Sequence, residues 1–144
     1  MAARQDLLAA LAPVTKALRR IEDDAAAGAG LTMWQYAILS LVTETPGLNQ
    51  GQVAHTLGYS ANRIIADLDL LQERRLLTRS PGTDRRANVL RTTAAGRRVM
   101  QRIQADIRKG EDDLLAILSV GQRRALYSAA QSIAGALRSP DPGL

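Results

Sequence analysis

Apolar residues recur at helical intervals along most of the chain, and this pattern predicts about six helices. The first stripe has apolar positions spaced by four and three residues: Leu7, Leu11, Val14, Leu18 and Ile21. It predicts a helix from about Arg4 to Asp24. Residues 25–30, AAAGAG, combine small side chains with glycine, so we expect them to form a flexible link.

Serine and threonine residues mark the starts of three further helices, because their hydroxyls can accept hydrogen bonds from the unpaired amides of a first helical turn. These predicted helices, each written with its capping residue first, run over residues 32–44, 93–118 and 119–137. The last helix is predicted to turn four apolar residues inward: Leu126, Ala130, Ile133 and Leu137.

The centre of the chain has the pattern of two short helices joined by a sharp turn. Asn49 can cap the first helix, and Gly58 can end it in the left-handed conformation. Ser60 can cap the second helix, predicted over Ala61–Arg75. Its apolar positions form one stripe: Ile64, Leu68 and Leu71. Two helices joined by a glycine-containing turn describe a helix-turn-helix.

A predicted hairpin follows this helix pair. The sequence Ser80-Pro81-Gly82 favours a turn, and residues 88–92, NVLRT, are typical of a returning strand. Asp84, Arg85 and Arg86 would lie at its tip. The pattern therefore predicts a mainly α fold: a winged helix-turn-helix of about six helices with a two-stranded wing.

Composition limits the class of protein. The chain has 144 residues, 46% of them hydrophobic, with no Phe, one Trp and no Cys. It is expected to form one compact subunit without a disulfide or thiol switch. No apolar run approaches the roughly 20 residues of a membrane span, and no signal sequence opens the chain. We therefore expect a cytoplasmic protein without a membrane partner.

The positive charge is concentrated in one region. Residues 60–98 contain nine arginines and four acidic residues, and this surplus of five equals the formal net charge of the whole chain. Such a localised basic region is typical of a surface that binds a phosphate backbone. Arginine rather than lysine favours forked contacts to phosphate or guanine.

Other motifs give little support for an enzyme. His55 is the only histidine and is expected at the surface, where a phosphate contact is one alternative. Residues 111–113, Glu-Asp-Asp, have no histidine or cysteine beside them and are interpreted as a solvated acidic run rather than a metal site. The glycines of residues 25–30 lack the spacing of a nucleotide-binding loop. No catalytic residue, metal or cofactor is predicted.

The segment LNQGQVAHTLGYSANRIIADLDLLQERRLLTRSPGTDRRANVLRTTAAGRR resembles the MarR family of bacterial transcription regulators. LTMWQYAILSLVTETPGLNQ before it and LSVGQRRALYSAAQSIAGAL after it resemble other helices of that family, so the similarity covers nearly the whole chain. The resemblance implies a homodimeric repressor that binds double-stranded DNA at a palindromic operator. It also implies release by a small aromatic or amphipathic ligand.

The candidate DNA contacts lie on the second motif helix and the wing. Asn62 could pair with adenine and Arg63 with guanine, whereas Asp84 is expected to brace the wing so that Arg86 enters the minor groove. The full candidate set is Ser60, Asn62, Arg63, Ala66, Arg74, Arg79, Asp84, Arg85 and Arg86. The chain departs from the family pattern at positions 62, 63 and 66, and Arg75 replaces a common glycine. The family pattern alone therefore does not decide which residues at these positions contact DNA.

Trp34 and Tyr36 are candidate walls of a ligand pocket, because the resembled family often binds ligands beside this helix. Ordinary core packing is the alternative for both.

The terminal helices carry more apolar surface than one small winged helix can cover. We therefore expect residues 1–31 and 110–144 to be dimerisation helices, and residues 32–109 to form the winged helix-turn-helix of one integrated domain. An alternative is a winged-helix module that binds DNA or protein without ligand control. Neither the ligand, the operator, the regulated genes nor the choice between repressor and activator follows from the sequence.

Overall fold

The computed structural model describes residues 4–81 and 88–138. It divides into two compact units, one up to Arg108 and one from Lys109 onward. The elements in chain order are α1 (Leu7–Gly28), α2 (Met33–Glu44), α3 (Gln50–Leu57), α4 (Ala61–Glu73), β1 (Leu77–Pro81), β2 (Asn88–Thr92), α5 (Ala94–Leu114), a short 3-10 turn (Leu115–Ile117) and α6 (Val120–Arg138). Within these described residues, six helices and a two-stranded sheet confirm the predicted mainly α winged helix-turn-helix.

The caps and the turn of the helix-turn-helix lie at the residues that the sequence predicts. The Asn49 side chain accepts a 2.9 Å hydrogen bond from the Gln52 amide at the start of α3. Gly58 ends α3 at φ 64°, in the left-handed region. The Ser60 hydroxyl accepts a 3.3 Å bond from the Arg63 amide, and α4 begins at the next residue. These local signals fix the angle at which α4 leaves the turn.

The core of the first unit lies between α2, α3, α4, α5 and the two strands. The predicted apolar stripe of α4 is confirmed, since Ile64, Leu68 and Leu71 are buried. Other fully buried side chains come from elements on every side of it: Ile38, Leu39, Val53, Leu77, Leu90 and Ile103. One face of α4 is thereby held, and the opposite face is left to solvent.

The wing is attached to the helical core at its base. Strands β1 and β2 are antiparallel, with Leu77 opposite Thr92 and Pro81 opposite Asn88. The Leu90 amide donates a 3.0 Å hydrogen bond to the Leu48 carbonyl. The hydroxyls of Thr43 and Thr92 lie 2.7 Å apart, which links α2 to β2. These contacts fix the direction in which the hairpin leaves the core.

Three predicted helix boundaries are wrong. Helix α1 continues to Gly28, so most of the expected flexible link at residues 25–30 is helical, with Ala26 fully buried. Alanine is the best helix former, and the glycine signal acts only at the last residues. Helix α4 ends at Glu73 rather than Arg75, because Arg75 has a left-handed φ of 60°. Helix α5 ends at Leu114 rather than Leu118, where a 3-10 turn replaces it.

In the second unit, α6 contains no buried residue in the single chain. All four of its predicted inward positions are exposed in the single chain: Leu126 by 38%, Ile133 by 58% and Leu137 by 81%, with Ala130 exposed as well. The Tyr127 hydroxyl donates a 2.7 Å hydrogen bond to Glu111, which raises the pKa of Tyr127. The apolar face of α6 thus exists as predicted, but in one chain it faces solvent.

Candidate nucleic-acid interface

The solvent face of α4 presents several of the predicted contact residues together. Ser60, Asn62, Arg63 and Ala66 are all exposed, and all lie at the N-terminal end of this helix. In a helix-turn-helix, this end of the second helix meets base edges in the major groove. The structure therefore leaves accessible the part of α4 that a DNA-binding function requires.

A cleft of about 420 Å³ lies beside this helix end. It brings together the start of α3, the start of α4 and the wing strand β2. Its lining residues are Asn49, Gln50, Gly51, Ala54, Ala61, Ile64 and Asn88. The helix starts and the wing thus face a common space.

Arg63 lies against an aromatic pair. Its guanidinium carbon is 5.5 Å from the centre of the Tyr59 ring, within the range of a cation–π contact. The Tyr59 ring is in turn 4.9 Å from the Trp34 ring, centre to centre, at an angle of 49°. Trp34, a candidate pocket residue, therefore packs against Tyr59, the residue whose ring Arg63 contacts.

Asp67 joins α4 to α2 and to the turn before α4. Its carboxylate accepts a 3.0 Å hydrogen bond from the Gln35 side-chain amide and a second from the Tyr59 hydroxyl. The Gln35 side-chain oxygen also accepts from the Thr32 amide at 3.0 Å, which completes a capping box at the start of α2. Both ends of this amide are thereby used, and Gln35 is a buried polar residue that is only 7% exposed.

Tyr59 remains a hydrogen-bond donor at every physiological pH. Burial, followed by the hydrogen bond to the negative Asp67, raises the pKa of Tyr59 to about 12. The neutral phenol can therefore hold Asp67 and carry Arg63 on its ring without changing charge.

The sequence interpretation did not find Gln35, Tyr59 and Asp67. One signal was present, because Thr32 and Gln35 have the spacing of a capping box. Nothing local indicated that the same glutamine would reach Asp67.

Arg79, a predicted DNA contact, lies on β1 and interacts with α4. Its guanidinium forms an ion pair with Asp69, and its Nε donates a 2.6 Å hydrogen bond to Gln72. The Arg79 side chain is 20% exposed and the Asp69 side chain 60%. This contact neutralises a carboxylate on the solvent face of α4.

Arg74, another predicted DNA contact, bonds to the end of the first helix. Its guanidinium donates hydrogen bonds of 2.8 Å to the Gly30 carbonyl and 3.2 Å to the Ala29 carbonyl. Carbonyl groups at a helix end lack partners within the helix, so this arginine satisfies two of them. The structure thus places Arg74 in a contact between α4 and the link after α1.

The predicted wing-tip residues Asp84, Arg85 and Arg86 lie outside the described residues. Their expected roles therefore stay predictions.

Trp34 and Tyr36, the two candidate pocket residues, have different surroundings in the structure. Tyr36 borders a surface cavity of about 310 Å³ whose wall comes from α1, α2 and α3: Glu22, Met33, Tyr36, Ala37, Ser40, Leu41, Glu44 and Leu57. Trp34 contacts Tyr59 instead. Tyr36 is thus placed beside a cavity that could hold a small ligand, and Trp34 is not among the residues that line it.

Within residues 4–81 and 88–138, no group of three or more His, Cys, Asp or Glu side chains could hold a metal ion. No single helix of that part of the chain is long and apolar enough to cross a membrane. The pair α1 and α2 passes this test of length and composition only when the two are taken together, across a bend of 85°.

Sequence comparison finds a matching family profile and a related protein. A profile of the MarR family matches residues 29–87. The chain is also similar to a Thauera aromatica protein whose name assigns it to transcriptional regulation of the hcr operon. The two are 30% identical over 98 residues, which cover 67% of this chain. The chain spans 59% of that relative's length.

Solved structures extend the similarity over nearly the whole chain. The transcriptional repressor CouR, solved bound to a 23-mer DNA duplex, is 32% identical with a TM-score of 0.75, covering 90% of this chain and 92% of that one. A MarR-family transcriptional regulator from Rhodococcus sp. RHA1 is 26% identical with a TM-score of 0.75, covering 91% and 96%. With the helix-turn-helix, the wing and the matched profile in agreement, the chain belongs to the MarR family of transcription regulators.

Proposed function

We propose that this chain is a sequence-specific DNA-binding transcription regulator, acting as a homodimeric repressor that a small molecule releases from a palindromic operator. The observation that carries the proposal is the exposed N-terminal end of α4, with Asn62 and Arg63 at the surface beside the wing. The 32% identity to a repressor bound to a DNA duplex supports the same function. Such a regulator works where the bacterial chromosome lies, in the cytoplasm.

In this proposal α4 enters the major groove. Asn62 is suited to adenine and Arg63 to guanine, because an amide and a guanidinium can each form paired hydrogen bonds with those bases. At the wing, Asp84 would pair with one arginine and brace the loop, so that Arg86 enters the minor groove; Arg85 is a further candidate contact. The hydrogen bonds that Asp67 accepts from Gln35 and Tyr59, the Asp67 junction, would hold α4 at a fixed angle. A helix already held in place loses less conformational entropy when it binds.

The dimer is proposed from unpaired apolar faces at both ends of the chain. In the first unit, Leu7, Leu8 and Leu11 of α1 are exposed. In the second unit, the exposed apolar residues of the 3-10 turn and α6 are Ile117, Val120, Leu126, Tyr127, Ile133 and Leu137. A second copy would cover such faces, with residues 1–31 and 110–144 as the dimerisation helices and residues 32–109 as the DNA-binding region. Two recognition helices about one DNA turn apart would then meet a palindrome.

Ligand control is proposed from the cavity at Tyr36. Its volume of about 310 Å³ is at the lower end of small-molecule sites. Apolar groups of Met33, Tyr36 and Leu57 suit a small aromatic or amphipathic compound. Because Leu57 belongs to α3, a ligand there would touch the helix-turn-helix directly.

The DNA arm is tested by selection from a random duplex library, followed by anisotropy titrations of the selected duplex at several salt concentrations. We expect a palindromic selected sequence and an affinity that falls by orders of magnitude between about 50 and 200 mM salt. Failure to enrich any sequence, with binding no tighter than to random duplex, would refute sequence-specific regulation.

The assembly arm is tested by sedimentation. The wild type is expected to be a dimer at micromolar concentration. Leu126→Asp combined with Ile133→Asp is expected to dissociate or unfold it, because unpaired charge would enter an apolar seam. A wild-type monomer at that concentration would refute the dimer.

The ligand arm is tested by screening small aromatic and amphipathic compounds for release of the selected duplex. A releasing compound should lose its effect in Tyr36→Ala while DNA affinity without the compound is retained. Release that is equally strong in Tyr36→Ala would place the ligand elsewhere. Absence of any releasing compound would favour the alternative of a winged-helix module without ligand control.

A further inference from the structure

The outward face of α4 is not uniformly polar. Asn62, Ile65, Ala66 and Asp69 are spaced by three, one and three residues, so they form one stripe along the helix. This stripe lies opposite the buried Ile64, Leu68 and Leu71. Ile65 is 43% exposed, and Ala66 beside it is exposed as well. The middle of the stripe is therefore apolar, with an amide at one end and a carboxylate at the other.

Folding gives little reason for isoleucine at this position. Its branched side chain loses rotamer freedom in a helix, and an exposed site returns little burial energy. Single exposed isoleucines are common on protein surfaces and do not by themselves indicate a binding site. Here Ile65 lies in the second turn of the helix that the proposed function places in the major groove, next to a second apolar residue.

The major groove contains one apolar group on its base edges, the 5-methyl group of thymine. Asn62, one turn before Ile65, has the side chain that pairs with adenine. The carboxylate of Asp69 at the far end of the stripe is engaged by Arg79. The part of the stripe available to bases therefore consists of one amide followed by two apolar side chains.

We propose that Ile65, with Ala66 beside it, packs against thymine 5-methyl groups and makes the stripe selective for A·T pairs in each half-site. This inference rests on the proposed function, because it requires α4 to lie in the major groove. Arg63 is outside the stripe, against the Tyr59 ring 5.5 Å away. A guanine contact by Arg63 would therefore fall at a different position of the half-site.

The test removes only the methyl group. Each thymine of the selected half-site is replaced in turn by deoxyuridine, which keeps every hydrogen-bonding group of the base. At one or two positions, we expect the wild-type protein to bind about fourfold more weakly, the factor expected for one buried methyl-sized group. Ile65→Ala should bind the thymine duplex more weakly and should lose most of the deoxyuridine penalty at its position.

Leu70→Ala is the matched control. Leu70 is also an exposed apolar residue of α4, 36% exposed, but it lies outside the stripe in the C-terminal half. This variant should keep the full deoxyuridine penalty. Circular dichroism and thermal melting of both variants would establish that each is folded. The deoxyuridine titrations of the wild-type protein do not depend on either variant.

Two results would overturn the inference: no deoxyuridine penalty at any thymine, or a penalty that Ile65→Ala retains in full. If salt-dependent, sequence-specific binding persists in either case, the proposed function stands and only the role of Ile65 fails. If no sequence is bound specifically, both proposals fail together.

Discussion

Gln35 and Asp67 lie 32 residues apart in the chain, and the Gln35 side-chain amide donates a 3.0 Å hydrogen bond to the Asp67 carboxylate. This bond joins the first turn of α2 to the middle of α4. Tyr59, at the turn before α4, donates to the same carboxylate. Helix α2, the turn before α4 and α4 itself therefore meet at one carboxylate, which helps to fix the orientation of α4.

Replacing Asp67 by alanine is expected to lower the free energy of unfolding by about 2 kcal/mol, because a buried amide and a phenol would both lose their acceptor. Asp69→Ala is the matched control, since Asp69 pairs with Arg79 at an exposed position and should cost less than about 1 kcal/mol. Urea unfolding of both variants measures the difference. Equal costs would show that the contacts of Asp67 stabilise the fold no more than one exposed ion pair does.

Tyr59 predicts a specific dependence of stability on alkaline pH. Its pKa is raised to about 12, by burial first and then by the bond to Asp67, whereas an unfolded tyrosine titrates near 10. The folded state therefore holds the phenolic proton more tightly. Its contribution is complete below about pH 10 and is lost as pH rises toward about 12.

We expect Tyr59→Phe to show a smaller loss of stability between these pH values than the wild type. Tyr127→Phe provides a comparison in the other unit. There the pKa of the tyrosine is raised as well, in this case by the bond to Glu111. Unfolding measured at intervals from pH 8 upward checks this. Identical alkaline slopes for wild type and Tyr59→Phe would contradict the assigned pKa shift.

Local signals in the sequence predicted the elements well, because caps and turns depend on neighbouring residues. Gly58 ends α3 and Ser60 caps the start of α4, as predicted. The roles of Arg74 and Trp34 depend on partners distant in the chain, and no spacing rule reports them. Side chains two positions apart on a helix point in different directions, which is why Trp34 and Tyr36 have different surroundings.

Arg75 has a left-handed φ of 60° just after α4, where a side chain normally costs about 1–2 kcal/mol. Arg75→Gly should therefore raise the free energy of unfolding, by about 0.5–1 kcal/mol after the greater freedom of the unfolded glycine is subtracted. The Arg75 carbonyl, which accepts a 2.7 Å bond from the Thr93 hydroxyl, is unchanged by this substitution.

The reverse exchange provides the control. Gly58→Ala places a side chain at φ 64° and should destabilise the protein. Thermal melting of the two variants is expected to show shifts of opposite sign. A destabilised Arg75→Gly would mean that the arginine side chain makes a contact worth more than the backbone strain.

Gly96 lets α5 approach the start of the wing. A Cβ atom there would lie 2.1 Å from the Leu76 carbonyl oxygen and 2.7 Å from the Thr92 Cγ2 atom. The backbone would have to move, so Gly96→Ala should cost about 1–3 kcal/mol and displace the base of the wing. Gly121→Ala in α6, whose Cβ would meet nothing nearer than 4.0 Å, should be tolerated.

Denaturant unfolding and DNA titration of these two glycine variants check the prediction together. Gly96→Ala should lose both stability and DNA affinity, because Leu76 precedes β1 and Thr92 is the last residue of β2. A Gly96→Ala protein with wild-type stability would show that α5 can shift without cost.

Substitutions at Arg74 and Arg63 test which of these two predicted DNA contacts stabilises the fold and which binds DNA. Arg74 donates to the Gly30 and Ala29 carbonyls, so Arg74→Ala should lower the free energy of unfolding by about 1–2 kcal/mol. At a temperature where the variant stays folded, its DNA affinity should still fall with salt as steeply as that of the wild type. Arg63→Ala should leave stability nearly unchanged and weaken specific DNA binding by about 1–3 kcal/mol.

Arg74→Lys distinguishes charge from geometry, because lysine keeps the positive charge but cannot reach two carbonyls with a planar fork. We expect Arg74→Lys to be destabilised almost as much as Arg74→Ala, and to bind DNA like the wild type. If Arg74→Ala instead lowers the salt dependence by about one ion while Arg74→Lys restores it, Arg74 contacts phosphate. Its bonds to the α1 link would then be the resting arrangement of a side chain that moves to DNA.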